Sequence, residues 1–465
     1  MIIFGLLASI LTIGAAGTGV SLLAFSRRER VSALELSVLS WLFGTGAISL
    51  LLWICGMILS GAALQGCVTV IALGLAGIGC WRLRGRSMVI DLPAPRTPWE
   101  WLLCAILAVE IGIVFYASFS STLGWDGLLN WELKARYALY NGGVIPSAYY
   151  SDDSRAFTHP AYPLWIPFTE LWLYLWIGEA HQFWAKLIFP LIYAAGIVFL
   201  AAAAARLTGE RWIGLSAAAL MLFVPALTNM PGGVASGYVD VPVAILYLGS
   251  IAYLLRSAEG NNKSDVRIYA LCLALLPWAK REGSVLWLVA ALCGLLVLWR
   301  QRRTSRVWPS ALWLLPGPLV MVTWRIFTAV HGVKPSPEFL PMNFATLSDN
   351  VGRIGPISRL LVGEMIETYR WSLFWPLLAL SFVWLLFSAR DIRLLVLAIA
   401  IVGPLSMYAG TYVFSGWVDW KMHIGASLSR LLLHVVPVGW LVIALALRPP
   451  GRVAASRADG VSQSR

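Results

Sequence analysis

Charge is what this chain has least of: of its 465 residues only 12% are Asp, Glu, Lys or Arg, while 59% are apolar or aromatic. A soluble domain needs a far more polar surface, so that class is excluded and a polytopic membrane protein is implied. Cysteine carries no signal either. Cys55, Cys67, Cys80, Cys104, Cys272 and Cys293 fall within or at the ends of apolar segments, with no CxxC spacing and no pair in a polar loop. Neither a disulfide framework nor a metal site is expected from them. The first apolar segment, residues 1–25, lacks a charged n-region and has no A-x-A-like cleavage site before Arg27, Arg28 and Arg30. It reads as a retained helix and not as a cleaved signal peptide. The basic residues do not gather on one face. The net charge of +12 is spread over loops between apolar segments, so topology accounts for it and nucleic acid is not an expected partner.

Long apolar runs are what the chain has in abundance. A hydrocarbon core roughly 30 Å thick needs about 20 apolar residues per helix. Candidate spans are 2–25, 34–59, 61–81, 98–118, 183–205, 211–229, 239–255, 267–280, 283–299, 307–329, 371–389, 392–411 and 430–448. The 24 Trp and 15 Tyr fit interfacial anchoring at the headgroup level.

Basic clusters occur at Arg27/Arg28/Arg30, Arg82/Arg84/Arg86, Arg206/Arg211, Arg256/Lys263/Arg267, Arg300/Arg302/Arg303/Arg306, Arg390/Arg393 and Arg448/Arg452/Arg457. The positive-inside rule makes all seven loops cytoplasmic. They share that side only if one further apolar segment, 160–178, does not cross. That segment, with the string HPAYPLWIPFTELWLYLWI running from His159 to Ile177, carries Pro160, Pro163 and Pro167 at its start and Glu170 near its middle. Such breaks are tolerated at membrane depth only beside protein or water, so it reads as a juxtamembrane or re-entrant helix. The result is an all-α polytopic protein of about 13 transmembrane helices in a cytoplasmic (inner) membrane, with the N-terminus outside and the C-terminus inside.

With that topology the unusual polar residues fall on the outer side. Asp126, Glu132, Lys134, Arg136, His159 and Tyr162 lie in the first outer loop, 119–182. Asp240 opens a span in SGYVDVPVAIL. Lys280, Arg281 and Glu282 occupy a corner in PWAKREGSVLWL, after a helix of about 14 residues, or roughly 21 Å, which sinks them below the membrane surface. Asp419, Lys421, His423 and Arg430 form the last outer cluster. Charges at that depth imply a polar cavity open to the outside.

Plainer readings exist for each. Asp126 precedes Gly127 and suits a turn or a helix cap, Asp240 suits an N-cap, and Lys280 to Glu282 suit a self-satisfied salt-bridge corner. Glu110, inside an apolar span, has no sequence partner and is structural or unassigned. His434 reads as a satisfied core histidine. In LGWDGLLNWELKARYALYNGG (123–143), a helix from Gly127 puts Leu128, Trp131 and Ala135 at i, i+3 and i+7, an apolar face to rest on the membrane. Partial desolvation at the membrane boundary suits Asp126 to act as a base while a helix start suits it to be held as an anchor, and both roles stay open.

Taken in order, these elements resemble the GT-C superfamily of membrane glycosyltransferases, in particular the branch of protein O-mannosyltransferases and bacterial lipid A aminoarabinose transferases. The ordered set is Asp126 in GWDGLLNWELKAR, the HPAYP segment, YVDVP at Tyr238 to Pro242, AKREG at Ala279 to Gly283, and RLLLHVVP from Arg430 to Pro437. It covers roughly residues 98–448. Residues 1–97 are three helices ahead of that module, and 449–465 read as a disordered cytoplasmic tail. The chain departs from the family in those three preceding spans and in having no large soluble C-terminal domain.

The resemblance implies transfer of a sugar from a polyprenyl-phosphate donor to a glycan, lipid or protein acceptor outside the membrane, by an inverting displacement. It assigns Asp126 as catalytic base and Lys280, Arg281, Lys421, His423 and Arg430 to the donor phosphate. Glu132, Asp240 and Glu282 orient cations or bind the sugar; Lys134, Arg136, His159, Tyr162 and Asp419 are further substrate contacts. No cofactor is required, and a divalent cation is not expected although the dispersed carboxylates offer it ligands. Two other classes stay open. A flippase of lipid-linked sugar also wants intramembrane charge, but no repeated pair of broken helices is present. A surface-polysaccharide polymerase or ligase would use the second long outer loop, 330–370, with His331, Arg353, Arg359 and Arg370.

Overall fold

Helix starts are marked where polar residues meet the apolar runs. Thr97 accepts from the Glu100 backbone N–H, Pro98 follows it, and Glu100 reaches back to the Arg96 N–H, so α4 (Pro98–Ser120) begins with its free donors satisfied. Ser32 caps α2 (Ala33–Gly56) in the same way through the Glu35 N–H. Left-handed Gly178 and Gly209 stop α7 (Trp165–Ile177) and α9 (Ile188–Thr208).

The protein is seen in a computed structural model that describes residues 1–26, 30–84, 88–89, 95–260, 262–301, 311–334, 338–388 and 392–448. Arg27, Arg28, Arg86, Arg302, Arg303, Arg306, Arg390, Arg452, Arg457 and the tail 449–465 lie outside the described residues. The chain is an all-α polytopic membrane protein. Besides the helices above it contains α1 (Ile2–Ala24), α3 (Gly61–Leu83), α5 (Leu133–Tyr140), α6 (Ser147–Ser151), α8 (Gln182–Ala185), α10 (Arg211–Ala219), α11 (Asp240–Gly260), α12 (Lys263–Ala279) and α13 (Gly283–Gln301). There follow α14 (Pro316–Val330), α15 (Phe344–Asn350), α16 (Ile354–Met365), α17 (Thr368–Trp371), α18 (Phe374–Ser388), α19 (Ile392–Thr411), α20 (Trp420–Leu433) and α21 (Val436–Ala446). The described strands are two residues each, Val31–Ser32 paired in parallel with Met88–Val89.

Among the described residues, nine helices are long and apolar enough to cross a membrane, and α20 with α21, bent by 47°, makes up to ten. Arg211–Phe223 and Phe374–Ser388 are apolar but shorter. The central helix is α11, 94% buried, while α3 and α4 at 22% and α14 with its preceding turn at 17% present their sides outward.

Contacts sort the helix termini into two ends. At one end Arg256, late in α11, pairs with Glu35 and, at 2.9 Å, with Asp265, while Arg393 pairs with Glu259. Arg211 meets Glu100 at 2.8 Å, and Arg82 and Arg267 donate to the last carbonyls of α1. At the other end the start of α11 meets the end of α12 and the last turn of α20, and α13 begins beside the end of α12.

The proline-rich segment dips into the bundle and turns back. Trp165, at the start of α7, donates to Thr45 in the middle of α2; Trp172 donates to Thr12; Trp176 lies against Gly5 in the first turn of α1. α7 therefore begins halfway down and ends at the end where α1 starts.

Close backbone approach builds its socket. A Cβ on Gly17 would lie 1.8 Å from the Ser40 carbonyl oxygen, and one on Gly44 would lie 2.1 Å from that of Ile13. Small residues are how helices approach in lipid, where burial alone drives little association. Gly17→Leu is expected to destabilise by about 1–3 kcal/mol through overpacking, read as a lower melting temperature of the purified protein. Gly74→Leu, whose Cβ meets nothing within 4 Å, should leave melting unchanged.

Candidate functional site

Close backbone approach pins the first loop to the turn that leads into α11. The Gly124 N–H donates to the Ser236 carbonyl at 2.8 Å, and a Cβ on Gly127 would come within 2.6 Å of the same oxygen. Gly237 turns the chain with φ 69°, and a Cβ there would strike Leu123 at 2.3 Å, so only glycine allows this crossing. Asp126 and Asp240 are thereby brought to one place.

Arg430 joins them. Its guanidinium donates to Asp126 through Nη2 and lies 3.3 Å from Asp240 Oδ2 through Nε, with Tyr238 beneath it at 4.6 Å. Lys280 Nζ donates to Asp240 Oδ1 at 2.6 Å and lies 3.5 Å from Glu282. The corner that presents Lys280 needs its glycine, because a Cβ on Gly283 would sit 1.8 Å from the Leu276 carbonyl. The same Asp240 oxygen lies 3.1 Å from His434 Nε2, and Tyr408 Oη lies 2.8 Å from His434 Nδ1; an imidazole with its proton on Nε2 satisfies both contacts. Asp240 and His434 are fully buried and Lys280 is nearly so. Buried charges persist only when paired and hydrogen-bonded in this manner.

A second wall comes from the first loop. Lys134 donates to the His159 carbonyl at 2.9 Å, a residue held left-handed at φ 47°, and its ammonium lies over Trp131 and Tyr162. Tyr162 O–H donates to Glu282 at 3.4 Å, closing the wall against the corner. Trp324 donates to the Ala161 carbonyl and anchors the HPAYP segment. Burial pushes the Lys134 amine down to about 7, against the pull of Asp126. Burial also lowers the His159 imidazole, with Glu338 acting in the opposite sense.

The structure thus gathers Asp126, Asp240, Lys280, Glu282 and Arg430, with Lys134, His159 and Tyr162 alongside. Arg281 is adjacent and exposed. Glu132 points the other way, to Arg136 and to Tyr174 O–H at 3.0 Å. Asp419 caps α20 through the Lys421 N–H, Lys421 lies over Trp420, and His423 stacks on Trp417 and meets Ser415 at 2.9 Å. Glu338 acts electrostatically on both His159 and His423, so that cluster borders the same region. In the second long loop His331 packs on Phe327, Arg353 donates to the Ser415 carbonyl and Arg370 to Glu364.

Two readings of the sequence are corrected. Trp131 and Ala135 are fully buried and only Leu128 is exposed, so this face does not rest on the membrane. A π-helical turn over Gly127–Glu132 shifts the register and packs α5 against α7. His434 is a satisfied core histidine and also a member of the site. Its spacing of four from Arg430 was the available signal. Tyr408 carries no signal in the sequence, and Tyr238, though part of the YVDVP motif, has no role assigned to it there. Glu110 has a partner after all, Tyr193 at 2.6 Å.

Among the described residues no group of three or more His, Cys, Asp and Glu side chains is arranged to hold a metal, and all six cysteines are free. The Lys134 shift carries a pH signature. Between about pH 7 and its ordinary 10.5 the unfolded chain binds the proton and the folded chain does not, so stability rises with pH through that window. Lys134→Met is expected to melt above the wild type at pH 7 and to lose that advantage by pH 10; parallel melting curves would refute the assignment. The chain matches no protein-family model, and no curated protein was found to be similar to it.

Proposed function

We propose that this protein is a GT-C-like membrane glycosyltransferase that takes a sugar from a polyprenyl-phosphate carrier. The observation that carries the reading is the convergence on Arg430 of Asp126 from the first loop and Asp240 from the start of α11, beside the Lys280 corner. These are the elements of the ordered resemblance, and they come from positions up to 304 residues apart.

The geometry supports a division of labour. A phosphate arriving beside Arg430 and Lys280 competes with the carboxylates for both cations. Arg430 then turns from Asp126 to the phosphate, and the released carboxylate accepts the proton of an acceptor hydroxyl. The hydroxyl oxygen attacks the anomeric carbon from the face opposite the phosphate. The carbon–oxygen bond to phosphate breaks with its electron pair on the phosphate, which the cations stabilise. The nearby Lys134 amine, brought down to about 7 by burial, is partly protonated at neutral pH and adds positive charge beside the phosphate, and exposed Arg281 adds charge at the entrance.

The proposed topology has thirteen crossings, counting the short helices α10, α12 and α18 and the bent pair α20–α21, with α7 re-entrant. It puts the site end outside the cytoplasmic membrane and the Arg256 end inside, in keeping with the basic residues gathered there.

Asp126→Asn should lower sugar transfer by about 10²–10⁴-fold with an unchanged yield of folded protein in the membrane; full activity would sink the base assignment. Orientation is checked separately. A cysteine at exposed Ser151, in a background with the six native cysteines replaced, should react with an impermeant maleimide added to intact cells. Reaction only after permeabilisation would reverse the topology.

A further inference from the structure

Asn130 is 1% exposed, and neither Oδ1 nor Nδ2 of its amide has a hydrogen-bond partner among the described residues. Leaving such a group unpaired is destabilising, a penalty that an apolar side chain of the same size would avoid. The residue stands four positions after Asp126 and four before Lys134. In the π-helical turn, where hydrogen bonds run from i to i+5, residues four apart project in nearly the same direction. Asp126, Asn130 and Lys134 therefore form one stripe on the buried face, and Trp125 and Leu128 carry the exposed face. Two further polar atoms next to this stripe, Trp131 Nε1 and Glu282 Oε2, also lack a partner among the described residues.

We propose that Asn130 reads the sugar of the donor, and this rests on the glycosyl-transfer reading above. A planar amide offers one acceptor edge and one donor edge side by side. That pattern fits a vicinal diol on a pyranose ring, one hydroxyl donating to Oδ1 and its neighbour accepting from Nδ2. Asp126 on the same stripe faces the reacting end, and Glu282 and the Trp131 indole stand ready for other hydroxyls. A site built on hydrogen bonds to hydroxyls rejects ligands that lack them, because its buried polar groups are then left unpaired.

The test measures binding to the purified full-length protein in lipid nanodiscs. The probes are undecaprenyl phosphate and undecaprenyl phosphate linked to glucose, galactose or mannose. The wild type should bind at least one linked sugar tenfold or more tightly than the sugarless carrier. Asn130→Leu should lose that preference, bind undecaprenyl phosphate as the wild type does, and melt no lower than the wild type. Asn130→Ser, which is small enough not to strain the turn, should reduce the preference several-fold. Retained preference in either variant overturns the inference, as does a lower melting temperature with loss of both probes. A wild type that binds the sugarless carrier but favours no linked sugar overturns the role of Asn130 alone. A wild type that binds neither probe overturns the glycosyl-transfer reading as well.

Discussion

One guanidinium shared between two carboxylates, Asp126 and Asp240, organises this end of the molecule. In an environment of low dielectric an unpaired carboxylate is costly to bury, so each of these acids needs a cation close by. Arg430 serves both, which ties the first loop to α11 and both to α20. Lys280 and His434 complete the coordination of Asp240, adding the ends of α12 and the α20–α21 bend to the same knot. Three carboxylates face two strong cations here, so the cluster is charge-balanced only with the help of its neighbours.

Much of this was legible in the sequence because the relevant forces act on composition and order. Scarcity of charge and repeated apolar runs dictate a helical membrane protein. The prolines at 160, 163 and 167 mark a segment that cannot be an ordinary span, and α7 indeed runs from mid-depth back to one end. The order of Asp126, Asp240, Lys280 and Arg430 along the chain suggested one site, and the structure brings these four side chains together.

What the sequence concealed depends on register and on partners distant in the chain. A run written as an amphipathic α-helix contains a π-helical turn, and that one change of pitch turns Trp131 and Ala135 from the membrane to the interior. Nothing in local composition announces a π-turn; it is held by α7 packed against it. His434 looked like an ordinary core histidine because its two partners, Tyr408 and Asp240, lie 26 and 194 residues away. The cluster at Asp419 to His423 shared the expected side but not the knot, since side alone does not fix which helix face a residue occupies.

The socket of α7 bears on how such a chain assembles during synthesis. Its partners are Gly5, Thr12 and Thr45, all in the first two helices, while α7 itself is made more than a hundred residues later. The opening hairpin thus waits in the bilayer as an unfinished receptacle, and the broken helix has a place to settle as it leaves the ribosome. The first two helices are on this view a folding template for α7 and not an appendage to the bundle.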